Sequence, residues 1–139
     1  MKIINKVMNL FAGAGNSKKP PIEIKEKQQT TVDPQEEGFY LNQKAMQYEK
    51  DQDISNAIKY YELCIQSNFE GSHPYNRLAI LYRKQKDYNN EIRVIEQAIS
   101  IFTDIKSKGY REFELTEKIN KFQDRLSKAK ALREKQKGH

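Results

Sequence analysis

The sequence predicts an all-α protein, an α–α superhelix of two stacked helix pairs closed by a C-terminal capping helix. Three observations predict it: an internal period of 34 residues, apolar residues at helical spacing throughout that period, and one apolar stripe after it. The chain has only six Gly and four Pro in 139 residues, too few turn residues for a sandwich or barrel. That length suits one modest domain.

The period appears when residues 38–71 are set above 72–105 without a gap. Leu41 then falls over Tyr75, Ala45 over Ala79, Tyr48 over Tyr82 and Asp53 over Asp87. Further along, Ile54 falls over Tyr88, Ile58 over Ile92, Tyr61 over Ile95, Cys64 over Ala98 and Ile65 over Ile99. Each half holds two apolar helical faces separated by a polar break, at Asp51–Asp53 and at Lys86–Asp87. Small residues at Ala45 and Ala79 let paired helices approach, and Tyr48, Tyr61, Tyr82 and Ile95 fill the space between neighbours. Asp53 and Asp87 stand where a carboxylate caps the free amides of the second helix. Asp33, Pro34 and Glu36 form a start signal for the first helix, and Ser72 with Pro74 is expected to start the second repeat in the same way.

These segments resemble the tetratricopeptide repeat (TPR) family. Ala45-Met-Gln-Tyr48, Asp53-Ile-Ser-Asn-Ala57-Ile-Lys-Tyr-Tyr61, Leu78-Ala79-Ile-Leu-Tyr82, Asp87-Tyr88 and Ala98-Ile99 match its small–x–x–Tyr and Asp-Tyr-x-x-Ala-Ile patterns. The resemblance covers residues 38–105, as repeats 38–71 and 72–105. Three features depart from the pattern: Lys44 stands at a usual Leu, Glu91 at a usual Ala, and neither repeat ends in the usual Pro. Glu91 therefore needs a partner, and Lys44 needs solvent. The resemblance implies a non-catalytic interaction module, an adaptor or assembly subunit in the cytoplasm. Its concave groove would take a peptide or helix of another protein. Carried onto this chain, the groove positions are Phe39, Asn42, Met46, Glu49 and Lys50, then His73, Asn76, Arg77, Ile80, Arg83 and Lys84. Phe39, Met46 and Ile80 would form an apolar strip, and Arg77, Arg83 and Lys84 would favour an acidic ligand. The family's clamp for a C-terminal carboxylate does not fit, because Met46 breaks its pattern and a third repeat is absent.

The capping helix is expected over residues 108–135. Leu115, Ile119, Phe122, Leu126 and Ala129 form its stripe, with Tyr110 and Phe113 one turn earlier, and its last turns are expected to fray. The net charge of +6 resides here: residues 106–139 carry eleven Lys/Arg against five Asp/Glu, whereas 38–105 carry eight against nine. Lys118, Lys121, Arg125, Lys128, Lys130, Arg133, Lys135 and Lys137 supply most of it. Nucleic-acid binding through this helix is the alternative reading, disfavoured because exposed stacking aromatics and a reading motif are lacking. A second alternative is structural: two repeats fall short of the ~3 that usually make a stable array, so an exposed edge could form a homodimer.

Residues 1–11 carry Ile3, Ile4, Val7, Met8 and Phe11 on one helical face, suited to fold back on the repeats or to dock peripherally on a membrane or a partner. Asn5, Lys6 and Asn9 interrupt the apolar run a signal peptide needs. Residues 12–37 read as a flexible linker containing Pro20-Pro21, and Gly13–Lys18 lacks the Gly-Lys-Ser/Thr ending of a phosphate loop. No catalytic, metal or cofactor site is expected. His73 and His139 have no ligand-spaced neighbours, and Cys64 occupies a core slot without an activating base. A lone cysteine and the lack of any Asn-x-Ser/Thr acceptor agree with a reducing compartment.

Overall fold

A computed structural model describes residues 32–138 as five α-helices without strands: α1 (Pro34–Lys50), α2 (Ile54–Gln66), α3 (His73–Lys84), α4 (Tyr88–Ser107) and α5 (Glu112–Lys137). The readings made for residues 1–11, and most of the expected linker, lie outside the described residues. Consecutive helices pack on one another. Bonds between α1 and α3 join residues 42 to 73 and 49 to 77, and bonds between α3 and α5 join 72 to 118 and 76 to 125. Both sets ascend together, so α1, α3 and α5 run in one direction as an inner row. The α2–α4 bond between Glu62 and Arg93 marks an outer row.

The two halves repeat in chemistry as well as in pattern. Asp53 accepts from the Asn56 amide at 3.3 Å, and Asp87 from the Asn90 amide at 3.2 Å. Each aspartate also holds the same asparagine's side chain, at 2.8 and 2.7 Å. Just ahead of each cap, Gln52 (φ 63°) and Lys86 (φ 60°) adopt the left-handed conformation that reverses the chain. Ser72 breaks the parallel. It precedes α3 without a side-chain cap, and its Oγ instead faces the Lys118 amine across the interface with α5.

Phe69, in the loop between repeats, explains two glycines. A Cβ on Gly38 would lie 2.4 Å from its ring, and one on Gly71 would lie 2.7 Å from it. A glycine inside a helix costs about 1 kcal/mol of helix preference. At Gly38 that cost lets Phe69 seat against α1, while the Cys64 thiol donates to the Gly38 carbonyl at 3.1 Å. The Phe69 carbonyl accepts in turn from the Tyr75 hydroxyl at 2.8 Å.

Helix α4 spans 20 residues against 13 for α2. Its extra length carries Phe102, fully buried, with Tyr75 edge-on at 5.8 Å and Phe122 stacked at 6.0 Å. The α5 stripe therefore covers the second repeat through Leu115, Ile119, Phe122 and Ala129, all buried. Two expectations need correction. Tyr110 is 60% exposed and Phe113 79% exposed, because α4 has ended at Ser107 and no described helix lies opposite them. The helix also begins at Glu112 and continues to Lys137 instead of fraying after Leu132. Its end is held by Arg133 donating to the Asn89 side chain at 3.0 Å and Gln136 donating to the Lys86 carbonyl at 3.4 Å.

Truncating Phe122 to Ala is expected to remove about 3–5 kcal/mol of stability, whereas Phe113→Ala stays within about 0.5 kcal/mol. Chemical denaturation of the two variants checks this, and equal losses would contradict the burial assignment. Gly38→Ala is expected to lose about 1–3 kcal/mol by overpacking against Phe69, recovered in part by adding Phe69→Leu.

Candidate functional site

The sequence-derived positions divide into an apolar set and a polar set. Phe39 (58% exposed) and Met46 (39% exposed) lie on the same face of α1, with Asn42 between them. The Asn42 amide approaches the Met46 sulfur at 3.7 Å. Ile80 is half-buried on α3, and Lys50 and Lys84 are exposed at the C-terminal ends of α1 and α3.

The polar positions pair mostly with one another. His73 Nδ1 lies 3.0 Å from Asn42 Oδ1, within hydrogen-bond distance across the α1–α3 interface. Partial burial, followed by the Arg77 charge, holds the His73 imidazole below its ordinary pKa, while Glu49 pulls it the other way. Arg77 binds Glu49, with Nε donating at 3.2 Å and Nη2 completing the ion pair. Glu49 also accepts from the Tyr61 hydroxyl at 2.8 Å. Burial alone would raise Glu49, but the hydrogen bonds from Arg77 and Tyr61 outweigh it and hold the carboxylate below its usual range.

Arg83 is committed in a similar way. Its Nε donates at 2.8 Å to Glu91, a carboxylate only 1% exposed. The acid standing at a usual Ala is thus accommodated by a cation from the neighbouring helix, since an unpaired buried charge would be strongly destabilising. Lys44 reaches its own accommodation by a different route: half-buried, its amine lies 5.9 Å from the Tyr48 ring centroid. The cationic character expected of Arg77 and Arg83 is therefore largely neutralised within the protein. Lys84 forms no ion pair with a described residue.

One contributor was missed. Arg125 of α5, read as part of a cationic surface, reaches the inner row and donates to the Asn76 side chain through Nη1, and to its carbonyl at 3.4 Å through Nη2. The only hint in the sequence was the need for α5 to cover the second repeat, which turns one of its edges toward α3. With Lys118 on Ser72 and Arg133 on Asn89, these bonds bind the basic helix to its own protein. Ile80, Arg83, Lys84, Glu91 and Arg125 line a cavity of about 350 Å³ between α3, α4 and α5. Glu49, Gln52, Ile54, Leu81, Lys84 and Gln85 line another of about 470 Å³ at the C-terminal end of α3.

The family model for the tetratricopeptide repeat matches residues 40–70 and 72–104. The chain carries two tandem tetratricopeptide repeats. Its all-α helical-repeat fold agrees with that match. No curated protein and no solved structure matches the chain. Repeats of this family generally mediate protein–protein interaction and are typically non-catalytic. Among the described residues no helix is long and apolar enough to cross a membrane, and no three His, Cys, Asp or Glu side chains converge as metal ligands would.

Cys64 is fully buried in this TPR core. Burial, then the nearby Glu37 charge, pushes its thiol up to about 12. Alkylation by iodoacetamide at pH 8 is therefore expected to be negligible in the native protein and rapid in denaturant. Mass spectrometry of a denaturant series checks this, and labelling that precedes unfolding would contradict it.

Proposed function

We propose that the inner face of α1, α3 and α5 receives a peptide or helix from another protein, making this chain a non-catalytic adaptor or assembly subunit. The observation that carries the proposal is the pair of exposed apolar side chains, Phe39 and Met46, on the same helix row as Ile80. Around them the polar groups are already oriented by bonds between helices: Asn42 with His73, Glu49 with Arg77, and Asn76 with Arg125. A face ordered in advance loses little side-chain freedom on binding, so modest contact area translates into affinity. A cytoplasmic setting suits the single buried thiol.

Exposed Tyr110 and Phe113 remove one sequence-based objection to nucleic acid, but that reading stays weaker, since Lys118, Arg125 and Arg133 are held against the second repeat. Peptide selection from a random displayed library, using the full chain, tests the proposal. Enriched peptides are expected to lose at least ~10-fold in affinity on Met46→Glu, which places an uncompensated charge in the apolar strip. They are expected to keep their affinity on Lys59→Glu, on the exposed side of α2. Peptides that respond to Lys59 and ignore Met46 would overturn the inner-face assignment.

A further inference from the structure

Arg125 is a half-buried guanidinium with no carboxylate within ion-pair distance among the described residues. Its partners are the neutral Asn76 and the face of Phe122, whose ring centroid lies 5.5 Å away. A cation in this position has lost much of its hydration without gaining a contact ion pair among the described residues. Burial lowers its pKa, and the nearby Arg83 charge adds to this while Glu91 opposes it. Arg125 stays protonated at neutral pH all the same, so its charge persists in the fold.

The cavity beside it concentrates the imbalance. Arg83, Lys84 and Arg125 border it against the single carboxylate of Glu91, and Ile80 supplies an apolar wall. Glu91 and Arg83 neutralise each other at 2.8 Å, which leaves Lys84 and Arg125 without an ion pair among the described residues. Glu91 itself is almost fully buried, and its Oε1 has no hydrogen-bond partner among the described residues. With Glu91 committed to Arg83 and its second oxygen out of reach, the cavity presents two cations that form no ion pair among the described residues. A peptide offers the complement, an acidic side chain for the two cations.

We propose that the cavity between α3 and α5 is an anion subsite of the inner face, where Lys84 and Arg125 take an Asp or Glu side chain of the bound segment. This rests on the inner-face reading and gives the partner a chemistry: an acidic residue set beside an apolar one. Arg125 is then a specificity-determining residue supplied by the capping helix. A polynucleotide fits less well, because Lys118, Arg125 and Arg133, which would have to follow its phosphates, are held against the second repeat.

The test is an NMR titration of the full chain at low salt, following the Arg side-chain Nε–Hε signals. The probes are N-acetylated, amidated hexaglutamate, the matching hexaglutamine peptide, and a ten-residue oligothymidylate. Hexaglutamate is expected to shift Arg125 and Arg83 saturably while Arg93, paired with Glu62 on the outer row, stays still. Hexaglutamine and the oligonucleotide are expected to leave Arg125 unmoved. Lys84→Glu, at an exposed position that leaves the fold intact, is expected to weaken hexaglutamate at least ~10-fold, and Arg125→Gln to do the same when read at Arg83. Absence of a saturable Arg125 shift, an equal response to the oligonucleotide, or indifference to Lys84→Glu would each overturn the subsite. Selected peptides that depend on Met46 but ignore Lys84 and Arg125 would overturn the subsite and leave the inner-face reading standing. Hexaglutamate binding at Arg125, with selected peptides indifferent to Met46, would do the reverse.

Discussion

The proposed partner face depends first on Phe102 lying between Tyr75 and Phe122. A helical solenoid leaves an apolar side open at each end, and two repeats bury little surface between themselves. Here α4 runs beyond the repeat and carries Phe102 into the gap, where it joins α3, α4 and α5 through one set of ring contacts. That contact centres the α5 interface, which buried Leu115, Ile119 and Ala129 extend along the helix. With it, α5 closes the second repeat and becomes the third helix of the inner row.

The same contact links stability to the arrangement of the proposed binding face. Holding Phe122 against Phe102 brings Arg125 over Asn76 and Lys118 over Ser72. The polar residues of the inner row are thereby tied together from α1 to α5: Glu49 to Arg77, Asn42 to His73, and Asn76 to Arg125. Each bond crosses between helices, so the row behaves as one surface. The apolar side chains left over, Phe39 and Met46, are supported by ordered neighbours. That is the arrangement in which a few exposed apolar groups can carry most of a binding energy.

Much of this was legible in the sequence. The 34-residue offset placed both helix pairs, because local signals repeat: Asp53 and Asp87 as caps, polar breaks at Asp51–Asp53 and Lys86–Asp87, Ala45 and Ala79 at the close approaches. What was not legible depends on groups far apart in sequence. Glu49 and Arg77 are 28 residues apart and Asn76 and Arg125 are 49 apart, and no periodicity announces either pair. Arg77 and Arg83 therefore read as free cations when they are paired, and Arg125 read as surface when it reaches inward. Tyr110 and Phe113 failed for a related reason. Their spacing continues the α5 stripe, but a stripe is buried only where a facing helix exists, and α4 stops short of them. Ser72 has the right type and position for a cap, yet a lysine from α5 approaches its hydroxyl.

Native-state hydrogen exchange along the full chain tests the central claim most directly, that α5 is an integral wall of the repeat unit. Amides of α5 around Ile119 and Phe122 are expected to exchange with the same opening free energy as those of α3 around Leu78, since Phe102 couples them. Exchange of α5 at a much lower free energy, with α1–α4 still protected, would show the helix detaching on its own and would remove the third wall of the proposed face.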